Sequence, residues 1–382
     1  YNSYSKTWEV IVQYQGDLAF LEGQGVRVTL LLFSYAILLV PESLMDYVTG
    51  LPQITYLEKP KLLYFADAFV RSISCITPVQ EGVMGLSGNG VLLACIDSGV
   101  DYAHPDFCAP DGTSRIAILW DQTIPGNPPM GYALGSVYTR QQINEALASS
   151  TPEERFALVP SRDVTGHGTA VLGIAAGNGR SSAYAAMRGV APEATLVVVK
   201  LGNPDPADLP RTSQLLQAVD FCVRYALLVE RPLVINLSFG NNYGSHSGDS
   251  LLETYLNAVS NLGQNVICIG AGNEGDTGRH YAGNLKSDRK SSGQTQTVRA
   301  TSDPAATSAV SATADRAVSV EFQVGAYESS FSLQIWKVYG DEISIELISP
   351  GGIRSGTLSP VLGTARLTLG PTELLLFYGM PS

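Results

Sequence analysis

Three segments of the sequence place a single polar residue where a catalytic group would be useful. Asp97 ends the apolar run VLLACID, His167 lies between glycines in TGHGTA, and Asn273 follows the apolar run NVICIG. A buried carboxylate can orient an imidazole by accepting its Nδ1 proton, which leaves Nε2 to act as a base. An asparagine amide can donate to the oxyanion that develops in acyl transfer. In combination the three residues indicate nucleophilic hydrolysis.

Each of these residues also has a structural explanation when it is taken alone. An aspartate after a strand is often a turn or helix-capping residue, and an asparagine between glycines suits a left-handed turn. A lone histidine is more often structural than catalytic. The order of the three residues along the chain therefore matters more than any one of them, and Asp, then His, then a later Ser is the order found in subtilisin.

The elements that must position these residues are apolar strands alternating with amphipathic helices. Continuous apolar runs lie within 90–101, 194–201, 231–240 and 264–275, and helical periodicity lies between them. Such strands are typical of a parallel sheet that is covered by helices on both faces. Polar residues should then gather at the carboxyl ends of the strands, which is where we expect a site.

The four polar segments resemble those of the subtilisin family of serine proteases. The matching segments are IDSGVDYAHPDF, DVTGHGTAVLGIAAG, VINLSFG and IGAGNEG, and they follow one another in the family order. The resemblance implies catalytic roles for Asp97 and His167 and an oxyanion role for Asn273. It also implies that an extended protein substrate is bound by a further set of residues: Ser238, Phe239, Gly240, Ala271 and Gly272.

The sequence style changes twice, which predicts three domains. Residues 1–70 read as a β-β-α-β unit similar to subtilisin propeptides, which act as chaperones and inhibitors of their own protease. Residues 71–283 should form the α/β catalytic domain, with its parallel sheet between two helical layers. Residues 284–382 show short alternating strands, which favour an inserted antiparallel β-sandwich, or jelly roll.

Two further stretches resemble the Csp-type subtilases of spore-forming anaerobes. They are IDSGVDYAHPDFCAPDGTSRIAILWDQTIPGNPP and LPQITYLEKPK. This likeness implies limited proteolysis of a cortex-lytic enzyme precursor during spore germination. It also implies a spore-associated or extracellular location.

The family's nucleophile lies in a GTS segment that opens a helix after the oxyanion asparagine, and we find no such segment here. The only GTS ends at Ser114, between the Asp and His motifs, and Ser302, Ser349 and Ser359 lie in strand-and-turn sequence. We expect the chain to stop before the nucleophile and to be inactive alone. The alternative is a catalytically inactive regulator or scaffold, and a plain α/β ligand-binding domain would need all four motif matches to be accidental.

Composition narrows the partners and cofactors. The net charge of −11 disfavours nucleic acid and anionic membrane surfaces, and no apolar run is long enough to cross a bilayer. The cysteines and histidines lack metal-ligand spacing. Asp106 matches a calcium-binding position of many subtilisins, but the segment NGRSSAYAAMR lacks the oxygen ligands that calcium prefers. We therefore expect no cofactor and no metal.

Overall fold

The structure is a computed structural model in which most of the N-terminal two thirds of the chain is described. The described residues there are 6–61, 64–65, 76–81, 83, 85–181, 188–205, 209–273 and 280–283. Beyond them the structure describes 297–298, 308–309, 312–313, 317–324, 329–337, 343–358 and 363–378. The chain divides into two compact units, 1–242 with 251–328, and 243–250 with 329–382.

The N-terminal residues form a small antiparallel sheet with one short helix. Its elements are β1 (Thr7–Tyr14), β2 (Arg27–Leu30), β3 (Tyr35–Pro41), α1 (Met45–Thr49) and β4 (Ile54–Glu58). The strand order is β2-β3-β1-β4. The run TLLLFSYAILLV forms two strands, as the sequence predicts, because a tight turn at Phe33 and Ser34, both with positive φ, reverses the chain.

A six-stranded sheet forms the centre of the first unit. The first elements of this region are β5 (Tyr64–Phe65), α2 (Ile76–Glu81), β6 (Leu92–Asp97), β7 (Ile116–Asp121), β8 (Ser136–Thr139), α3 (Arg140–Leu147), α4 (Pro152–Leu158) and α5 (His167–Ala176). The remaining elements are β9 (Thr195–Lys200), α6 (Thr212–Leu228), β10 (Leu233–Leu237), β11 (Phe239–Gly240), α7 (Leu251–Ser260) and β12 (Asn265–Ile269). The strand order is β12-β10-β6-β9-β7-β8, and every pair is parallel except β7 with β8. The predicted parallel sheet is thus mixed at one edge.

Alternate side chains of β6 enter two separate hydrophobic clusters. Leu92, Ala94 and Ile96 pack on the face covered by α6 and α7, whereas Leu93 and Cys95 pack on the face covered by α3 and α5. The period of two residues in a strand explains this division. All six residues of β6 are buried, and the sheet has helices on both faces as the sequence predicts.

The N-terminal sheet packs on α6 and α7 of the same unit. Two of its carboxylates lie where those helices begin: Glu58 accepts a hydrogen bond from Leu251 N at 3.0 Å, and Glu9 pairs with Arg211 at 3.0 Å. The amino end of a helix carries partial positive charge, so carboxylates are favourable there. Tyr35 adds a 2.8 Å hydrogen bond to Thr254 of α7.

Asp220 lies in the middle of α6 and connects the N-terminal residues to the central fold through hydrogen bonds. Its fully buried carboxylate accepts from Leu32 N at 3.1 Å, Tyr132 OH at 2.7 Å, Tyr255 OH at 2.8 Å and Arg224 Nε at 2.7 Å. Burial, followed by the nearby Asp220 charge, raises the pKa of both tyrosines, which therefore remain donors. One acceptor thus serves donors from the N-terminal domain and from the central fold.

The described residues after 296 form short antiparallel pairs. They are β13 (Thr297–Val298) with β14 (Ser308–Ala309), β15 (Ala312–Thr313) with β16 (Ala317–Val318), and the hairpin β17 (Gly363–Leu369) with β18 (Thr372–Tyr378). Much of 284–342 lies outside the described residues. The jelly roll and the three-domain division stay predictions. None of the helices in the described part of the chain combines the length and apolar character that a membrane crossing requires.

Substitution of Asp220 by alanine tests its connecting role. The change leaves four donors without their acceptor, and we expect the free energy of unfolding to fall by about 3 kcal/mol in chemical denaturation. Asp111→Ala is the control, because Asp111 is exposed and accepts from Thr113 within its own turn. An equal loss in both variants would contradict the role given to Asp220.

Candidate active site

The carboxyl ends of three neighbouring strands bring the predicted site segments to one edge of the sheet. In register, Ile96 of β6 lies beside Leu237 of β10, which lies beside Ile269 of β12. Asp97 is the next residue after Ile96, the segment 238–240 follows Leu237, and Asn273 follows Ile269 by four residues. The sheet topology therefore places the Asp, substrate-strand and Asn segments side by side.

His167 reaches this edge as the first residue of α5, and its ring contacts Asp97. The distance from His167 Nδ1 to Asp97 Oδ1 is 2.7 Å, and Asp97 Oδ1 also accepts from Ser98 N at 2.7 Å. An ionised carboxylate only accepts, so Nδ1 carries the proton and Nε2 holds the basic lone pair. The Asp97 side chain is 0% exposed and that of His167 is 10% exposed. The pair is therefore oriented and shielded from water.

Two opposing influences set the ionisation of Asp97. Burial raises its pKa, whereas the hydrogen bonds from His167 and Ser98 act in the other direction and only in part offset the rise. Among the described residues no donor reaches its second oxygen, Oδ2. The carboxylate thus depends on His167 and Ser98 for its stabilisation.

Asp163 is a second carboxylate behind the pair, and it is not among the site residues predicted from the sequence. Its Oδ1 accepts from Ser98 Oγ at 2.9 Å, Gly166 N at 3.0 Å and Thr165 Oγ1 at 3.3 Å. Its Oδ2 accepts from Thr169 N at 2.8 Å and Thr169 Oγ1 at 2.7 Å. The carboxylate therefore caps the first turn of α5 and fixes the loop before His167.

The pKa of Asp163 is lowered although burial alone would raise it. The hydrogen bonds from Thr169, Ser98 and Gly166 together outweigh the burial. The signal in the sequence was an aspartate shortly before the histidine that opens a helix, since a carboxylate is favoured near the amino end of a helix. That pattern identifies a cap, but it does not show that Ser98, 65 residues earlier, would share the cap.

Close packing of two glycines lets α5 approach β6. A Cβ on Gly168 would lie 2.7 Å from Gly99 N and 3.1 Å from both Cβ and Oδ1 of Asp97. Gly168 N instead donates to Ser98 Oγ at 2.9 Å. The glycine after His167 is thus required by the space between helix and strand rather than by backbone freedom.

The predicted substrate-strand residues form a short strand that is already paired. Phe239 pairs with Phe65 and Gly240 with Tyr64 in antiparallel register, so β11 pairs with β5 of the same chain. Phe239 is buried, and Ser238 Oγ accepts from Asn236 Nδ2 at 2.8 Å. The other predicted residues of this group, Ala271 and Gly272, are exposed in the turn before Asn273.

The serines discussed above lie elsewhere or outside the described residues. Ser114 is 3% exposed, and its Oγ accepts from Ile116 N at 3.1 Å, which agrees with its prediction as a structural loop residue. Ser349 Oγ accepts from Ile353 N at 3.0 Å within a turn. Ser302 and Ser359 lie outside the described residues.

The surroundings of Asp106 do not fit a calcium ion. Its Oδ1 accepts from Ser181 N at 2.7 Å, and its main-chain oxygen accepts from Arg115 Nη1 at 3.0 Å and Asn178 N at 3.1 Å. Calcium needs several oxygens directed at one point, and here donors of the protein take them. Within the described part of the chain no cluster of three or more His, Cys, Asp or Glu could hold a metal. Residues 182–187 of the adjoining loop lie outside the described residues.

Glycine-to-alanine substitutions on α5 test the packing argument with a matched pair. Gly168→Ala must push α5 away from Asp97, and we expect a loss of about 2 kcal/mol in the free energy of unfolding. Gly173→Ala on the same helix meets nothing within 4 Å, and it should leave stability unchanged or raise it by up to about 1 kcal/mol. A Gly168→Ala protein as stable as Gly173→Ala would refute the close approach.

The Asp163 network predicts a pH-dependent effect of Asp163→Asn. Because the folded pKa of Asp163 is lowered, its ionised form stabilises the fold above the unfolded pKa of about 4, and this contribution is lost as pH falls through the folded value. We expect the substitution to cost about 2 kcal/mol at pH 7 and much less near pH 3 in denaturant unfolding. Asp101→Asn, an exposed aspartate nearby, controls for removal of charge. A pH-independent cost of Asp163→Asn would contradict the role of the ionised carboxylate.

Comparison with known proteins agrees with this geometry. A model described as the subtilase family matches residues 88–371, and a model described as the Csp protease B prodomain matches residues 1–61. Subtilisin E of Bacillus subtilis (strain 168) is 26% identical over 228 residues, which are 59% of this chain and 46% of that protein. The major intracellular serine protease of the same organism is 30% identical over 205 residues, or 53% of this chain and 49% of that protein.

A solved structure, that of the Clostridium perfringens CspB protease, is similar over 80% of this chain and 55% of that one, with a TM-score of 0.61 and 28% sequence identity. The chain thus spans about half the length of the relatives it matches. The similarity confirms the predicted subtilisin-like α/β fold and the predicted Csp-type prodomain. Because the family match covers more than half of the sequence and includes Asp97, His167 and Asn273, this chain belongs to the subtilase family.

Proposed function

We propose that this chain supplies the acid–base pair and the substrate-binding strand of a subtilisin-type serine endopeptidase. The observation that carries the proposal is the 2.7 Å contact between His167 Nδ1 and the fully buried Asp97. Such a pair fixes the imidazole tautomer and stabilises the imidazolium that forms when Nε2 accepts a proton. Family membership supports the same chemistry.

The proposed reaction moves one proton through His167 in each half. His167 Nε2 takes the proton of a serine hydroxyl as the serine oxygen bonds to the peptide carbonyl carbon, and the Asn273 amide donates to the oxyanion. His167 then gives the proton to the leaving amine as the C–N bond breaks. In the second half a water molecule gives a proton to His167 as its oxygen bonds to the acyl carbon. The proton then passes to the serine oxygen as the ester bond breaks and the carboxylic acid product leaves.

The nucleophilic serine in this proposal lies outside residues 1–382. The printed sequence contains no GTS segment that opens a helix after Asn273. Two apolar side chains of the edge strand β12, Val266 and Ile269, are 55% and 60% exposed, which is unusual for a strand of a covered sheet. We propose that the chain segment with the serine packs against this edge.

The pairing of β11 supports an extended peptide as substrate. Antiparallel hydrogen bonds to Phe239 and Gly240 use main-chain groups that every peptide has, so the strand can hold many sequences in one register. Tyr64 and Phe65 occupy this register from within the chain, which supports the N-terminal domain as an intramolecular partner. Residues 64–80 link the N-terminal region to the catalytic domain, and we expect self-cleavage of the complete protein to fall there. Most of them lie outside the described residues or have undescribed side chains.

The proposed physiological substrate is the precursor of a spore cortex-lytic enzyme, cleaved by limited proteolysis during germination. The support is the prodomain match at residues 1–61 and the similarity to the Clostridium perfringens CspB protease over 80% of this chain. A spore-associated or extracellular location belongs to the same proposal.

Labelling with a fluorophosphonate probe tests the function. In the full-length protein we expect covalent labelling that drops by at least about 100-fold in His167→Asn, because the serine loses its general base. His246→Asn is the matched control, since His246 is exposed and its left-handed backbone, with φ 58°, accepts asparagine. The 382-residue chain should not label and should not cleave itself within 64–76.

The outcome that contradicts the proposal is an unlabelled wild-type full-length protein. In that case the alternative, a catalytically inactive protease-like regulator or scaffold, would account for the retained Asp97 and His167. Equal labelling of His167→Asn and wild type would instead remove His167 from the mechanism.

A further inference from the structure

The Arg115 side chain makes an unusual set of contacts near the C-terminal end of α5. Its Nη1 donates to the main-chain oxygens of Ala176 at 2.7 Å and Asp106 at 3.0 Å. Its Nη2 donates to the main-chain oxygens of Ala194 at 2.9 Å and, more weakly, Ala191 at 3.4 Å. We call these four oxygens the carbonyl cluster. One guanidinium thus joins three chain segments that are far apart in sequence.

The carbonyl cluster is the kind of environment that attracts a cation. Carbonyl oxygens carry partial negative charge, and these four lie within hydrogen-bond distance of the two terminal nitrogens of one guanidinium, whose positive charge offsets their mutual repulsion. The oxygen of Ala176 adds the negative end of the α5 dipole. Within the described part of the chain no carboxylate forms an ion pair with Arg115. Peptide dipoles therefore make the direct contacts with the charge of Arg115, and the carboxylates of Asp106 and Glu193 act on it from a greater distance.

Arg115 remains charged in this position. Burial lowers its pKa to about 10, with the charge of Asp106 opposing the shift, and this value still leaves the guanidinium protonated at neutral pH. Its planar group can direct several N–H donors to acceptors that lie apart from one another. A lysine ammonium has the same charge but is compact, so it cannot contact all of these acceptors.

Residues 190 and 191 donate to the last carbonyls of α5. Val190 N donates to Ile174 O at 3.1 Å and Ala191 N donates to Ala175 O at 2.8 Å, so amides satisfy two of the last carbonyls of α5. The oxygen of Ala176 receives the guanidinium instead. Arg115 thus takes the place of the donor that a helix C-terminus needs.

We propose that Arg115 is a built-in structural cation, which holds the carbonyl cluster together where a bound metal ion would otherwise be needed. The side chain fixes the turn at Asp106, the segment 188–194 and the C-terminal end of α5 to one another. This region of the fold is then stable without calcium. The inference is independent of proteolysis, because it concerns the folded chain whether or not a nucleophile completes the site.

Thermal unfolding of the 382-residue chain tests the proposal with three variants and three additives. The wild-type Tm should be the same in EDTA and in millimolar CaCl₂. Arg115→Ala should unfold roughly 5 °C or more below the wild type in both. Methylguanidinium chloride at a few millimolar should recover part of that loss, because it restores a guanidinium to the vacated space.

Arg140→Ala is the matched control. Arg140 is an exposed arginine that also donates to main-chain oxygens, those of Ile116 and Arg115, but at 3.4 Å in both cases. We expect its Tm to stay within roughly 2 °C of the wild type, with no response to methylguanidinium. Arg115→Lys should fall between Arg115→Ala and the wild type, since it keeps the charge but reaches fewer oxygens.

Several results would overturn the proposal. A wild-type Tm that falls in EDTA and rises with CaCl₂ would show that a metal ion stabilises the chain after all. A Tm of Arg115→Ala equal to that of Arg140→Ala would show that the cluster needs no cation. If Arg115→Ala does not fold, Arg115→Lys decides: a Tm below that of Arg140→Ala supports the proposal, and a wild-type Tm refutes it.

Discussion

The hydrogen bond between the buried Asp97 carboxylate and the His167 imidazole depends on how closely α5 approaches the end of β6. The approach is possible because Gly168 has no side chain, and it is maintained because Ser98 donates to Asp163 while accepting from Gly168 N. An error of one ångström in this packing would break the contact between ring and carboxylate. The geometry of the pair is therefore a property of helix–strand packing, more than of the two residues themselves.

A charged side chain binds each end of the helix that carries His167, and in both cases the charge has the sign that the helix dipole favours. At the amino end the Asp163 carboxylate accepts from the first turn, and at the carboxyl end the Arg115 guanidinium donates to Ala176 O. Neither group lies on the helix, so both attach it to other parts of the fold. This ten-residue helix packs Val171, Leu172 and Ala176 into a hydrophobic cluster, and the polar contacts at its two ends add to that packing.

The sequence was sufficient for the features that repeat along the chain. Continuous apolar strands, alternating helices and polar residues at strand ends predicted the sheet, because these patterns depend on local periodicity. The pairing of Asp97 with His167 was expected from the resemblance of their segments to those of the subtilisin family. The sequence was insufficient for contacts between distant residues. Arg115 contacts carbonyls 61 to 79 positions away in the sequence. Every residue type has a backbone oxygen, so such a contact cannot be recognised from the acceptor residues. The antiparallel β8 was missed because a short edge strand has too few residues to show a pattern.

The strand pair between Tyr64–Phe65 and Phe239–Gly240 has a consequence for any peptide that arrives from solution. The resident strand is tethered to the same chain, so it rebinds at an effective concentration that does not fall on dilution. A competing peptide must exceed that threshold or arrive after the tether has been cut. Which peptide pairs with β11 is thus determined by covalent connectivity as well as by intrinsic affinity.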